Sequence, residues 1–266
     1  MSTRFDIIKK PISVIWTRLL VNKTAVITGA GSQRGIGRAT AKLFAAHGAR
    51  IAAVDIDGEA VLDVATELGA QHRAWCCDVS DPAECNETVA QIVDDFQGID
   101  IMVNSAGVVF GTPILEITQR EYDTVLDNNL RGSFLMSQAV IPHMRTKSAG
   151  SIICISSIAG ETGGGVFGSS HYAAAKSGIF GLVKALAREL APDGIRANAV
   201  APGPVDNDFT KGSMTQEIKD EIAKKIPLGR LATPDDIANV CLFLASDLSS
   251  YVTGTVFDVN GGLLMH

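Results

Sequence analysis

Tyr172 and Lys176 stand four residues apart in the run Ser170-His171-Tyr172-Ala173-Ala174-Ala175-Lys176. On a helix that spacing puts both side chains on one face. A lysine ammonium beside a phenol favours the ionised form, pulling a pKa of about 10 towards working pH and making the tyrosine an acid/base. The same spacing is common on solvated helix faces, so the pair takes its meaning from its surroundings. A second constellation lies near the N-terminus. Thr24-Ala25-Val26-Ile27-Thr28 reads as a strand and runs into Gly29-Ala30-Gly31-Ser32-Gln33-Arg34-Gly35-Ile36-Gly37, after which Ala39, Ala41, Leu43, Phe44 and Ala45 mark a helix. Strand, glycine-rich turn and helix N-terminus together build an anion cradle: backbone N–H groups face a pyrophosphate and the helix dipole favours its charge. Gly29, Ser32, Arg34, Gly35, Ile36 and Gly37 are the candidate contacts. The ordinary G-x-G-x-x-G spacing is not met, because Arg34 stands where the third glycine belongs.

Asp55 ends the next strand about 20 residues after the turn, where a carboxylate accepts both adenosine ribose hydroxyls of NAD. A 2′-phosphate would meet like charge there, reinforced by Asp57. Arg34 opposes this, since its guanidinium can pair with such a phosphate. The balance makes NAD the expected cofactor, with NADP second.

The elements that must position these residues alternate regularly. Apolar runs at Thr24–Thr28, Arg50–Val54, His72–Cys76, Ile99–Val103, Gly150–Ile155, Arg196–Val200 and Thr255–Val259 are nearly continuous, as parallel strands covered on both faces require. Between them lie helix-period stripes such as Ile179, Leu182, Val183, Leu186 and Leu190, or Ile237, Val240, Cys241 and Leu244. This alternation predicts the α/β class: a single doubly wound Rossmann domain with a mostly parallel, seven-stranded sheet and right-handed crossovers. With no linker and no internal repeat, residues 23–266 form one domain, and residues 1–22 an N-terminal extension or arm.

A net charge of −6 without a basic stripe excludes a nucleic-acid footprint. The five cysteines, Cys76, Cys77, Cys85, Cys154 and Cys241, are odd in number and lack CxxC spacing, so neither a disulfide framework nor a zinc site is expected. The histidines fall in no HxxxH or HExxH pattern, and no metal is expected. The apolar stretch within residues 1–22 is broken by Pro11 and Arg18, too short to span a bilayer, and lacks a small-residue cleavage site. It is read as an arm packed on its own body or on a neighbouring subunit, and the protein as cytoplasmic.

From Lys23 to the end the chain resembles the short-chain dehydrogenase/reductase family in its shorter, single-domain form. The family's TGxxxGxG is met by Thr28, Gly29, Gly35 and Gly37 with two extra residues in the loop, and its NNAG turn by Asn104-Ser105-Ala106-Gly107. By resemblance, Asn104, Ala106 and Gly107 hold the cofactor, Asp78 and Val79 contact the adenine, and Pro202-Gly203-Pro204-Val205 closes over the nicotinamide, giving Pro202, Gly203 and Val205 as contacts. The resemblance implies a catalytic tetrad of Asn129, Ser157, Tyr172 and Lys176. Tyr172 transfers the proton and Ser157 holds the substrate oxygen. Lys176 lowers the tyrosine pKa and bonds the nicotinamide ribose, while Asn129 orders a water chain. Two departures touch the pocket: the Ser157-to-Tyr172 segment is two residues longer, through Gly163-Gly164-Gly165, and Asp206-Asn207-Asp208 replaces the usual threonine after the Pro-Gly turn, so that Asn207 or Thr210 takes over that contact.

The function this implies is reversible hydride transfer between a secondary alcohol or ketone and NAD, by a homotetramer whose partner is a small molecule. A 3-oxoacyl-acyl-carrier-protein or acyl-CoA reductase is the narrower alternative. It is disfavoured because Ser148 and Asp193 stand where basic carrier-docking residues are expected. A non-catalytic dinucleotide-binding protein is the alternative of a different class. Substrate choice is expected from Asn207–Leu228, Glu161–Ser170 and Val108–Phe110, since loops at the carboxyl ends of parallel strands line the ligand crevice.

Overall fold

A computed structural model describes residues 18–164, 167–210 and 212–266. The chain runs β1 (Thr24–Thr28), α1 (Ile36–Ala46), β2 (Arg50–Asp55), α2 (Gly58–Leu68), β3 (Arg73–Cys76), α3 (Pro82–Phe96), β4 (Ile101–Asn104), α4 (Gln119–Leu126), α5 (Gly132–Lys147), β5 (Gly150–Ile155), α6 (Ala159–Thr162), α7 (Ser170–Leu190), β6 (Ile195–Pro202), α8 (Gln216–Ala223), α9 (Pro234–Ala245) and β7 (Val256–Val259). The seven strands form one sheet in the order β3-β2-β1-β4-β5-β6-β7. Every pair in it is parallel, so the expectation of a mostly parallel sheet is met in full.

The continuous apolar runs divide between two cores. Val26, Met102, Ile152 and Ala199 face one side, where Ile92 of α3, Met136 of α5 and Ile179 of α7 cover them. Their neighbours Ile27, Val103, Ile153 and Val200 face the other, against Phe44 of α1 and Ile237 of α9. Alternation along each strand thus feeds two layers of helices.

Strand order reverses between β1 and β4, the switch point where open parallel sheets bind ligands. Gly29 leaves β1 at φ +67°, and a Cβ there would stand 2.8 Å from Ala106 Cα, so only glycine lets the two strand-end turns meet. Thr28 ties them together: its hydroxyl accepts from Ser105 N at 3.1 Å and Ala106 N at 3.2 Å.

Most of the predicted N-terminal arm, residues 1–17, lies outside the described residues. Its last part turns against the body, with Leu20 fully buried and its N–H donating to His47 O at 3.0 Å.

Candidate active site

A cleft of about 950 Å³ runs along the carboxyl ends of the strands, a size suited to an organic ligand. At its β1 end the helices differ in how they begin. Asp57, Asp81, Thr118, Thr215 and Thr233 each cap a helix by accepting a first-turn N–H. Helix α1 begins at Gly35 with no side-chain cap and no acid in its first turn. Its open N–H groups sit where Ser32, Gly35 and Ile36 line the cleft, and the dipole there favours an anion. Gly37 packs this helix onto the turn, since a Cβ would lie 2.3 Å from Gly29 O.

Asp55 closes the same end of the cleft. One carboxylate oxygen accepts from Gly31 N at 2.7 Å and the other from Asp57 N at 3.1 Å. Asp78 and Val79 line the wall beyond it. Uncapped helix, glycine turn and carboxylate fit the phosphates and ribose of a nicotinamide dinucleotide.

At the other end β5 and α7 bring Ser157, Tyr172 and Lys176 into the cleft, with Ala106, Gly107, Pro202, Gly203 and Val205 beside them. Lys176 Nζ lies 5.6 Å from the Tyr172 ring centroid and donates to Ile155 O at 2.9 Å. Burial pushes the Tyr172 phenol up to about 12, and the Ser157 hydroxyl bonded to it pulls it back only in part. Burial also brings Lys176 down to about 8. The expectation that Lys176 lowers the phenol towards working pH is therefore corrected. The ammonium lies over the ring and is held by a backbone carbonyl, and desolvation favours the neutral form of both groups.

Four expected site residues lie off the cleft wall. Gly37 acts through packing, as described. Asn104 turns its amide inward to Ser137 Oγ at 3.0 Å and Cys154 Sγ at 3.4 Å, so its part is to hold the turn rather than touch a cofactor. Arg34 is engaged by the loop after β6. Its guanidinium reaches Asp206 Oδ1 at 2.7 Å and Asp208 Oδ1 at 3.7 Å, clasping the glycine turn to the loop after β6. Asn129 sits in a π-helical turn, Asp127–Arg131, between α4 and α5, a distortion common at functional sites. Its amide donates to Val108 O at 2.8 Å and Val125 O at 2.9 Å, while Oδ1 is buried with no partner among the described residues. A Cβ on Gly107 would lie 2.5 Å from that oxygen and 3.7 Å from Lys176 Nζ, so amide and ammonium flank one glycine.

The expected specificity segments do converge. Asn207, Phe209, Thr210, Met214, Ile222 and Lys225 line the cleft together with Thr162, Phe167, Gly168, Val108 and Val109. The Phe209 ring lies 6.3 Å from that of Tyr172. Of the triple glycine, Gly163 and Gly164 are described and Gly165 is not. Sequence reasoning missed Cys77, Ser105 and Leu263, which also line the cleft. Leu263 follows Asn260-Gly261-Gly262, a turn motif that hinted at it. It also missed His171, which is buried between Glu121 Oε1 at 3.1 Å and Ser169 Oγ at 3.0 Å and so anchors the start of α7 to α4. No helix among the described residues is long and apolar enough to cross a membrane. At the surface, His266 Nε2 lies 2.8 Å from Glu161 Oε2 and 3.3 Å from Asp258 Oδ2, a cluster that linear spacing did not reveal.

A family model described as enoyl-(acyl carrier protein) reductase matches residues 29–264. An uncharacterized short-chain type dehydrogenase/reductase of Sinorhizobium fredii is 47% identical over 253 residues, covering 93% of this chain and 100% of the relative. The 3-oxoacyl-acyl-carrier-protein reductase of Escherichia coli is 38% identical over 243 residues, with 91% and 98% covered. Among solved structures, a short-chain dehydrogenase/reductase of Brucella melitensis, described as glucose/ribitol dehydrogenase, superposes with a TM-score of 0.87 at 34% identity, covering 94% of this chain and 100% of that one.

Proposed function

Because this chain belongs to the short-chain dehydrogenase/reductase family, and is therefore an oxidoreductase acting on CH–OH or keto groups, we propose that it oxidises a secondary alcohol, or reduces the matching ketone, with NAD. Bound nicotinamide supplies the hydride chemistry. The protein's own part is proton transfer and positioning. Tyr172 exchanges a proton with the substrate oxygen, and Ser157, bonded to the phenol, holds that oxygen. Lys176, fixed to Ile155 O, orients the ribose. Asn129 keeps one buried carbonyl oxygen available beside Lys176 for proton passage to solvent. The convergence of Ser157, Tyr172 and Lys176 on one cleft wall carries this reading. A panel of secondary alcohols and ketones, followed by NADH absorbance, tests it, and turnover of none by protein that still binds NAD would favour a binding protein instead.

NAD is preferred to NADP because Asp55 and Asp57 stand at the ribose end while Arg34 is engaged by Asp206. Asp55→Ala should shift the NAD/NADP ratio of kcat/KM by more than about tenfold towards NADP, through loss of like-charge repulsion and of a ribose contact. An unchanged ratio would remove Asp55 from cofactor selection.

A second reading, reduction of a 3-oxoacyl thioester, draws support from relatives named for that activity. Against it, Asp193 holds Arg145 at 2.7 Å, which neutralises a cation near the site expected for carrier docking. The five cysteines are free, in keeping with a reducing, cytoplasmic setting. We also infer a homotetramer, supported by the exposed small residues Ala174, Gly181 and Ala185 on the outer flank of α7 and by the exposed aromatics Tyr122 and Phe134 on α4 and α5. Light scattering should report four subunits at micromolar concentration. A fully active monomer would defeat the assembly.

A further inference from the structure

The cleft is electrically polarised. Asp55, Asp57 and Asp78 line it at the ends of β2 and β3, and among the described residues no other acid lines it. Among the described residues two cations line it, Lys176 and Lys225. The first is buried and bonded to Ile155 O. Lys225 follows α8 in the segment joining β6 to α9, and its treatment differs from that of its neighbours. Lys219 pairs with Asp206 at 2.8 Å and Lys224 with Glu221, whereas Lys225 has no acidic partner among the described residues. The same segment also lines the cleft with Phe209, Met214 and Ile222, and the Phe209 ring lies 6.3 Å from that of Tyr172.

Apolar side chains and an unpaired cation on one lining segment have a plain chemical complement. We propose that Lys225 receives an anionic group, a carboxylate or a phosphate, at the far end of a substrate whose middle is apolar and whose carbinol or carbonyl meets Tyr172. This rests on the oxidoreductase reading of the cleft and names the substrate class it serves. An ammonium acts as a point charge on a flexible stem, so it takes either anion without demanding a planar fork. Being exposed, it remains hydrated until a ligand arrives, and its field attracts an anion to the cleft.

The test compares wild type, Lys225→Met and Lys225→Arg, all loaded with NAD. Calorimetry with octanoate and with octan-2-ol gives affinities that need no turnover. Kinetics use a matched set of a neutral 2-alkanol, a 3-hydroxy carboxylate and a 3-hydroxyacyl coenzyme A thioester. In Lys225→Met the anionic-to-neutral ratio of affinities, and of kcat/KM, should fall about tenfold through KM, and in Lys225→Arg it should recover. Added salt should lower the wild-type ratio but not that of the methionine variant. A loss confined to the carboxylate identifies a carboxylate end, and one confined to the thioester a phosphate end. An unchanged ratio in Lys225→Met, or a wild type that binds octanoate no better than octan-2-ol, would overturn the inference. Turnover of the neutral alkanol in the same set keeps the oxidoreductase reading separate, because that reading fails only if the neutral compound and its ketone are both inert.

Discussion

Tyr172→Phe should lower alcohol oxidation by about 10³-fold, within the usual range for a lost general base, while NAD binds as in wild type. The substitution keeps the ring that contacts Phe209 and lies under Lys176 and removes only the hydroxyl. The pH dependence gives a second reading. Burial pushes the phenol up to about 12, so at neutral pH the protonated form dominates. That form is the donor needed for ketone reduction, and the phenolate needed for oxidation is the minority. Wild-type oxidation should therefore rise with pH through the neutral range, while reduction falls only at strongly alkaline pH. The residual activity of the phenylalanine variant should lack the rise. Single-turnover absorbance between pH 6 and about 10, the latter near the phenol's ordinary pKa, decides it. Wild-type rates in the variant would show that another group moves the proton.

Gly37→Ala should damage the cleft severely through a single methyl group. It would enter 2.3 Å from Gly29 O and 2.8 Å from Gly29 C, and both are backbone of the turn that must hold the pyrophosphate. Overpacking of this kind costs about 1–3 kcal/mol, and here relief comes only by lifting α1 away from the turn. Thermal unfolding should fall by several degrees and NAD should no longer raise it, as a ligand that binds the native state otherwise does. If Gly37→Ala melts like wild type with NAD still stabilising it, the close packing of α1 on the turn is not what holds the cradle.

The strands were legible because parallel strands buried on both faces leave unbroken apolar runs. The edges were less so. Ile99 is fully buried yet precedes β4, since Asp100 there caps the sheet by accepting from Thr24 N at 2.8 Å. Strand β6 outruns its apolar run to Pro202 because Pro202 still registers with Val259. At the site, Tyr172 and Lys176 could be read from local spacing, since one helix fixes both. Arg34 could not, because its partner Asp206 lies 172 positions away. The direction of the Tyr172 shift was also hidden, for it depends on how deeply α7 is covered. Lys225 drew no notice for the same reason: a lysine beside two others looks like a solvated face until the pairing of Lys219 and Lys224 is known.

The clasp from Arg34 to Asp206 and Asp208 joins the glycine turn to the loop after β6. Exposed ion pairs contribute only about 0.2–1 kcal/mol each, so thermal motion can part them in every catalytic cycle. Once parted, the turn and the loop are no longer tied by these pairs. Added salt screens exposed pairs, so ionic strength loosens this tie without touching Ser157, Tyr172 or Lys176.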